Sequence, residues 1–164
     1  MATQFAASRH ADTTPLAMSG KAGPRAWTAL AVLMLPVLLV SVDNTVLSFA
    51  LPQIALHLEP TSAQQLWIVD AYPLVLAGLL VTMGSLGDRF GRRRMLLIGA
   101  SGFGVLSIAA AFAPSAELLI AARVGLGFFG AMLMPATLSL LRTIFRDREQ
   151  RRLAIAIWAA GFSA

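Results

Sequence analysis

Apolar residues in this chain are gathered into long stretches, with the polar residues largely confined to the segments between them. The stretches cover residues 27–49, 66–87, 95–113 and 117–141, and a fifth opens at 153 and runs to residue 164. Each complete stretch has about the 20 residues that a helix rising about 1.5 Å per residue needs to cross roughly 30 Å of hydrocarbon. A helical soluble core is the competing reading. A chain of 164 residues has too little polar surface to enclose four such stretches, so the pattern predicts an all-α membrane protein with four complete spanning helices and the start of a fifth. A cleaved leader behind Lys21 and Arg25 is disfavoured, because the first stretch exceeds the roughly 7–15 apolar residues of such a segment and contains Asp43.

The polar segments set boundaries and orientation. Residues 1–26, rich in Ala, Ser, Thr and Gly with Pro15 and Pro24, read as a mobile tail, and 27–164 as the helical bundle. Arg9, Lys21 and Arg25 precede the first helix, Arg89, Arg92, Arg93 and Arg94 follow the second, and Arg142, Arg146, Arg148, Arg151 and Arg152 follow the fourth. Twelve of the thirteen basic residues thus fall on one side of a serpentine path, which the positive-inside rule makes cytoplasmic, N-terminus included. The opposite loops, 50–65 and 114–116, carry none. In the first of these, Thr61 and Ser62 are followed three residues later by Gln64 and Gln65, a capping-box spacing that starts helix two near residue 63 and places Trp67 in the interfacial belt. His57 in the same loop reads as a solvated residue rather than a sensor or ligand.

Composition narrows the class. The chain is 57% hydrophobic and 13% charged, with a mean hydropathy of +0.74, whereas about a quarter of a soluble domain is charged. The absence of cysteine excludes a disulfide framework, a thiol nucleophile and a thiolate metal site. A net charge of +5 could suggest nucleic acid, but the arginines stand at the ends of apolar runs without interleaved aromatics, which argues against it. No paired catalytic carboxylates, metal-spaced histidines or nucleophile–base set can be assembled, so neither an enzyme nor a metal site is expected.

The informative residues are charges left inside the membrane. Asp43 lies six residues before the expected end of helix one, and Arg123 six residues after the expected start of helix four, placing both about 9 Å deep. An ion near a helix centre is disfavoured by about 2.5–3.5 kcal/mol on the insertion scale, so each needs a partner or a wet cavity. The expectation is that Asp43 and Arg123 face one shared polar cavity; a permanent pair that only fastens helices one and four is the other reading. Asp70, two turns into helix two and three residues before Pro73, is either a hydrated entrance residue or a protonatable, cation-attracting carboxylate at the outer mouth.

Two other signals carry less. Gly125, Gly127 and Gly130 spell a dinucleotide-binding spacing, but inside an apolar helix they, like Gly99, Gly102 and Gly104, read as helix-packing positions. Pro36 and Pro135 mark candidate kinks in helices one and four. The basic run from Arg142 to Arg152, with Asp147 and Glu149 interspersed, reads as an orientation signal.

Between helices two and three, Gly84, Leu86, Gly87, Asp88, Arg89, Gly91, Arg92, Arg93 and Leu96 fill every place of a pattern that resembles the signature loop of the major facilitator superfamily. The segment from Leu39 to Pro52, with Asp43, Thr45 and Ala50-Leu51-Pro52, is similar to the first-helix signature of the fourteen-helix drug:proton antiporters. Gln65 to Tyr72, with Trp67 and Asp70, looks like the second-helix entrance of their quaternary-ammonium branch. Arg123-Val-Gly-Leu-Gly127 resembles their fourth-helix motif, with Leu126 where a glutamine is usual.

The resemblance implies a facilitator-type bundle in a bacterial inner membrane that exchanges lipophilic cationic drugs for protons, driven by the proton gradient without a cofactor. Asp43 and Arg123 would couple to protons, Asp70, Trp67 and Tyr72 would recognise substrate, and Gly84, Asp88, Arg89, Gly91, Arg92 and Arg93 would form a gating loop whose glycines let the helices turn. Such transporters hold substrate between two six-helix bundles. Five helices are therefore expected to be a fragment, lacking the rest of the bundle and unable to transport alone. A facilitator for another solute, or a short membrane protein that binds other helices, are the alternatives.

Overall fold

A computed structural model describes residues 23–162, and the expected tail, apart from its last residues, lies outside that range. Five helices follow one another: α1 Pro24–Leu58, α2 Ser62–Phe90, α3 Arg92–Ala111, α4 Ala116–Ile144 and α5 Arg148–Ala160. The first four are long and apolar enough to cross a membrane. Among the described residues there is no strand, as expected for an all-α bundle.

Boundaries moved where proline and capping chemistry outweighed apolarity. Helix one does not stop at residue 49; it runs through Pro52 to Leu58, because one missing N–H removes one hydrogen bond of a long ladder. What stops it is Pro60, which disfavours helical backbone in the residue before it, and Glu59 turns left-handed at φ 42°. His57 is therefore in the last turn of α1, not in a loop. Helix two starts on the expected capping box: the Gln64 amide donates to Thr61 Oγ1 at 3.3 Å, and the Thr61 amide to Gln64 Oε1 at 2.9 Å. Helix five opens at Arg148, five residues before its apolar run, because Asp147 caps it by accepting from the Gln150 amide at 3.0 Å.

α4 is the centre. Half of its most apolar window is buried, against 28% or less in α1, α2 and α3, and it packs against each of the other four helices. Glycines allow this. A Cβ on Gly127 would lie 2.7 Å from the Tyr72 carbonyl oxygen, so α2 and α4 meet backbone to backbone there. On the α3 side, Gly102 and Gly125 leave the space taken by Phe129 and Leu106, whereas Gly104 faces nothing and is not a packing position. α4 and α5 are joined by Trp158 Nε1, which donates to buried Thr137 Oγ1 at 3.2 Å. Large side chains such as Phe49, Val81 and Phe112 are about four-fifths exposed, an arrangement suited to lipid and not to water.

Candidate functional site

Helices α1, α2 and α4 bring one charged cluster together beneath the surface. Arg123 is 2% exposed and Asp43 15%, and Arg123 Nη1 donates to Asp43 Oδ2 at 2.5 Å. The same guanidinium donates from Nε to the Ile68 carbonyl of α2 at 3.1 Å and lies 4.7 Å from the ring centroid of Tyr72. Two neighbouring helices thus hold the α4 cation, α1 through a carboxylate and α2 through a backbone dipole and an aromatic face. Such multiple partnering is what a buried guanidinium requires, since its desolvation costs several kcal/mol. Arg123 Nη2 is buried and has no hydrogen-bond partner among the described residues, so these residues do not saturate the site.

The expected meeting of Asp43 and Arg123 is present, but the two residues are not equally far from the ends of their helices. With α1 ending at Leu58, Asp43 lies about 22 Å from that end, while Arg123 lies about 10 Å from the start of α4. Past the contact, α1 continues about 12 Å further along its own axis than α4 does. That overhang builds one wall of a cavity of about 440 Å³ between α1, α3 and α4. Its lining is mostly apolar, and Asp43 and Arg123 stand in it together with Gln53, His57 and Ser107. From Asp43, positions 46, 47, 50, 54 and 57 of α1 recur at helical spacing along this wall.

A second cavity of about 520 Å³ opens on the other side of α1, lined by Ser41, Asn44, Thr45, Tyr72 and Pro73 and reaching Met134 and Phe162. Tyr72 is buried, with Phe103 edge-on at 6.4 Å. Asp70 and Trp67 line neither cavity. They lie on the other face of α2, Asp70 half-buried and Trp67 51% exposed, and are not assembled with the Asp43–Arg123 pair.

The loop between α2 and α3 is shorter than its glycines suggest. Gly91 alone makes the turn, at φ 100°, a conformation that penalises any Cβ. Gly84 is not a turn residue: it sits inside α2, where a Cβ would touch Pro135 of α4 at 3.6 Å. Arg92 reaches back to Asp88 Oδ1 with Nε at 3.0 Å and Nη2 at 2.9 Å, and across to Thr143 Oγ1 of α4 with Nη1 at 3.2 Å. Arg89 is in the last turn of α2, beside the C-terminal dipole, and Arg93 is exposed. Because the Arg92–Asp88 pair is exposed, Arg92→Ala is expected to lower stability by no more than about 1 kcal/mol in a thermal melt. A larger loss would mean that the Thr143 contact carries the joint.

Asn44, Gln53, Ser107 and Thr143 were not singled out from sequence. Asn44 had a signal, an amide next to Asp43 in an apolar run; the other three acquire meaning only from neighbours on distant helices.

Residues 33–164 match the Major Facilitator Superfamily. The chain is 70% identical over 140 residues to the multidrug efflux pump LfrA of Mycolicibacterium smegmatis, covering 85% of this chain and 28% of that protein. It is 43% identical over 136 residues to the methyl viologen resistance protein SmvA of Salmonella typhimurium, covering 83% and 28%. With the puromycin resistance protein pur8 of Streptomyces alboniger it shares 38% identity over 137 residues, covering 84% and 27%. The chain therefore spans little more than a quarter of the length of these relatives.

Proposed function

Because this chain belongs to the Major Facilitator Superfamily, we propose that its helices serve in a proton-coupled multidrug exporter that exchanges lipophilic cations for protons across a bacterial inner membrane. The observation that carries this reading is the buried Asp43–Arg123 pair opening into an apolar cavity. In such surroundings a carboxylate is stable only while Arg123 or another cation neutralises it, or once it is protonated. A flat or bulky organic cation entering the cavity competes with the proton for Asp43, and mutually exclusive occupancy is what antiport needs. Relatives named for multidrug efflux and for resistance to methyl viologen, an organic dication, support this choice of substrate.

Asp88, Arg89, Gly91, Arg92 and Arg93 serve as the gate at the basic end. The Arg92 bridge from Asp88 to Thr143 ties the α2–α3 joint to the end of α4 and gives the gate a contact to make and break. Asp70 and Trp67, on the other face of α2, take part at the outer entrance and not beside Asp43. The basic end is cytoplasmic, and the proton gradient supplies the drive without a cofactor.

The test is a flux panel on the protein at its full natural length in proteoliposomes with an imposed pH gradient. Ethidium and a quaternary ammonium compound are expected to stimulate proton movement, and neutral sugars and organic anions are not. Proton flux stimulated by a sugar or an anion, and not by the cations, would replace this reading with that of a facilitator for another solute.

A further inference from the structure

The arginines at the basic end of the bundle differ in what surrounds them. Arg89 and Arg92, in the α2–α3 joint, are engaged: Arg92 with Asp88 and Thr143, and Arg89 with the Phe90 ring, whose centre lies 5.9 Å from its guanidinium carbon. The corner where α4 passes into α5 is another matter. Arg142, Arg146, Arg148 and Arg152 are exposed there, and among the described residues none of their guanidinium groups has a hydrogen bond, an ion pair or a ring contact. From Arg142 to Arg152 five arginines stand against two acids. Of the two, Asp147 is tied to the Gln150 amide at 3.0 Å as the cap of α5, which leaves Glu149 as the one carboxylate outside a cap.

Packing brings these charges to the edge of an apolar surface. Phe145, just before Arg146, is fully buried, with Trp27 of α1 edge-on at 5.4 Å, so the start of α1 and its exposed Arg25 come to the same level. α5 turns one face inward: Ala154 is fully buried, and Trp158 donates to Thr137 of α4. The opposite face is left outside. Arg148 and Arg152 lie one turn apart on it, and Leu153 and Ile157, 53% and 38% exposed, continue it along the helix. Beside helices long and apolar enough to cross a membrane, guanidinium groups followed by an apolar stripe match the two halves of a phospholipid.

From this geometry we infer that the α4–α5 corner binds an anionic phospholipid, its phosphate held by Arg146, Arg148 and Arg152 and one acyl chain laid along Leu153 and Ile157. A guanidinium fork matches phosphate oxygens in pairs, which suits arginine to this task. The headgroup must carry a net negative charge, because the choline or ethanolamine cation of a zwitterionic lipid would be repelled by the same arginines. The lipid supplies the counter-charge that the chain itself lacks at this corner and covers the stripe below it. None of these residues lines the cavity at Asp43, so the lipid site holds or fails independently of the proposed antiport.

The test is native mass spectrometry of the protein at its full natural length, titrated in detergent with dioleoylphosphatidylglycerol or dioleoylphosphatidylcholine. The wild type is expected to retain phosphatidylglycerol in preference to phosphatidylcholine. Arg146→Gln, Arg148→Gln and Arg152→Gln should each weaken binding of the first phosphatidylglycerol about fivefold, the effect of one arginine near an anionic surface, and leave phosphatidylcholine unchanged. Arg94→Gln is the control, since it removes an exposed arginine of α3 from the same end of the bundle. Equal retention of the two lipids would overturn the site, and so would equal losses in Arg94→Gln and the three corner variants, which would reduce the arginines to a diffuse field. Inorganic phosphate and glycerol 3-phosphate in excess should leave the lipid bound. Displacement by either would assign the corner to a soluble phosphate and overturn the lipid. The Tm of the corner variants without added lipid should match the wild type, and a lower value would overturn the site by showing that the arginines serve the fold.

Discussion

If the proposed antiport holds, Asp43→Asn in the protein at its full natural length is expected to leave the helices assembled and to abolish uphill efflux. The amide keeps the volume of the carboxylate and can still accept from Arg123 Nη1, so the three-helix arrangement around the guanidinium survives in outline. What disappears is the ability of residue 43 to exist in two charge states. Each pH unit of gradient is worth about 1.4 kcal/mol per exchanged proton, a tenfold concentration ratio. Across two units, an electroneutral one-for-one exchange holds a drug ratio of about 100, and the Asn variant should fall to about 1. Ethidium accumulation in inverted vesicles at matched expression measures this. A variant that sustains the wild-type ratio would reduce the pair to a fastening between α1 and α4.

Gly127→Ala is expected to be the most damaging small substitution in the bundle. Its methyl would lie 2.7 Å from the Tyr72 carbonyl oxygen and 3.0 Å from Val75 Cβ, and neither a helix backbone nor a β-branched carbon can rotate away. Overpacking of this kind costs about 1–3 kcal/mol, seen as a Tm lower by several degrees. Because Tyr72 must retreat with α2, its contact with Arg123 should loosen as well, so ligand binding is lost along with stability. Gly104→Ala is the control. Nothing lies within 4 Å of its added methyl, and the gain in helix propensity should make that variant neutral or slightly more stable. Equal Tm values for the two variants would contradict the close approach of α2 and α4.

The sequence carried much of the site. An aspartate and an arginine inside apolar runs must find each other or water, so the Asp43–Arg123 contact was legible before any coordinates. The Thr61–Gln64 cap was legible too, because it depends on residues three apart. Errors arose where one residue type serves two purposes. Helix one was expected to end with its apolar run at residue 49 but continues through Pro52, Gly84 looked like part of a turn but is a seat for Pro135, and His57 moved from a loop to a cavity wall as a consequence of the first. Asp70 and Trp67 sit close to Tyr72 in sequence, yet the helical period turns them to another face.

Local chemistry, then, was enough to set the number of helices, their caps and the need to neutralise buried charge, since each depends on hydrophobicity or on residues within a turn of one another. Only the tertiary arrangement made α4 the centre, although four runs look alike in hydropathy, and only it split Asp43 and Asn44 between two cavities. The reason is that close approach depends on which glycines face which neighbours, and a linear pattern of apolar residues holds no record of the partner across the interface.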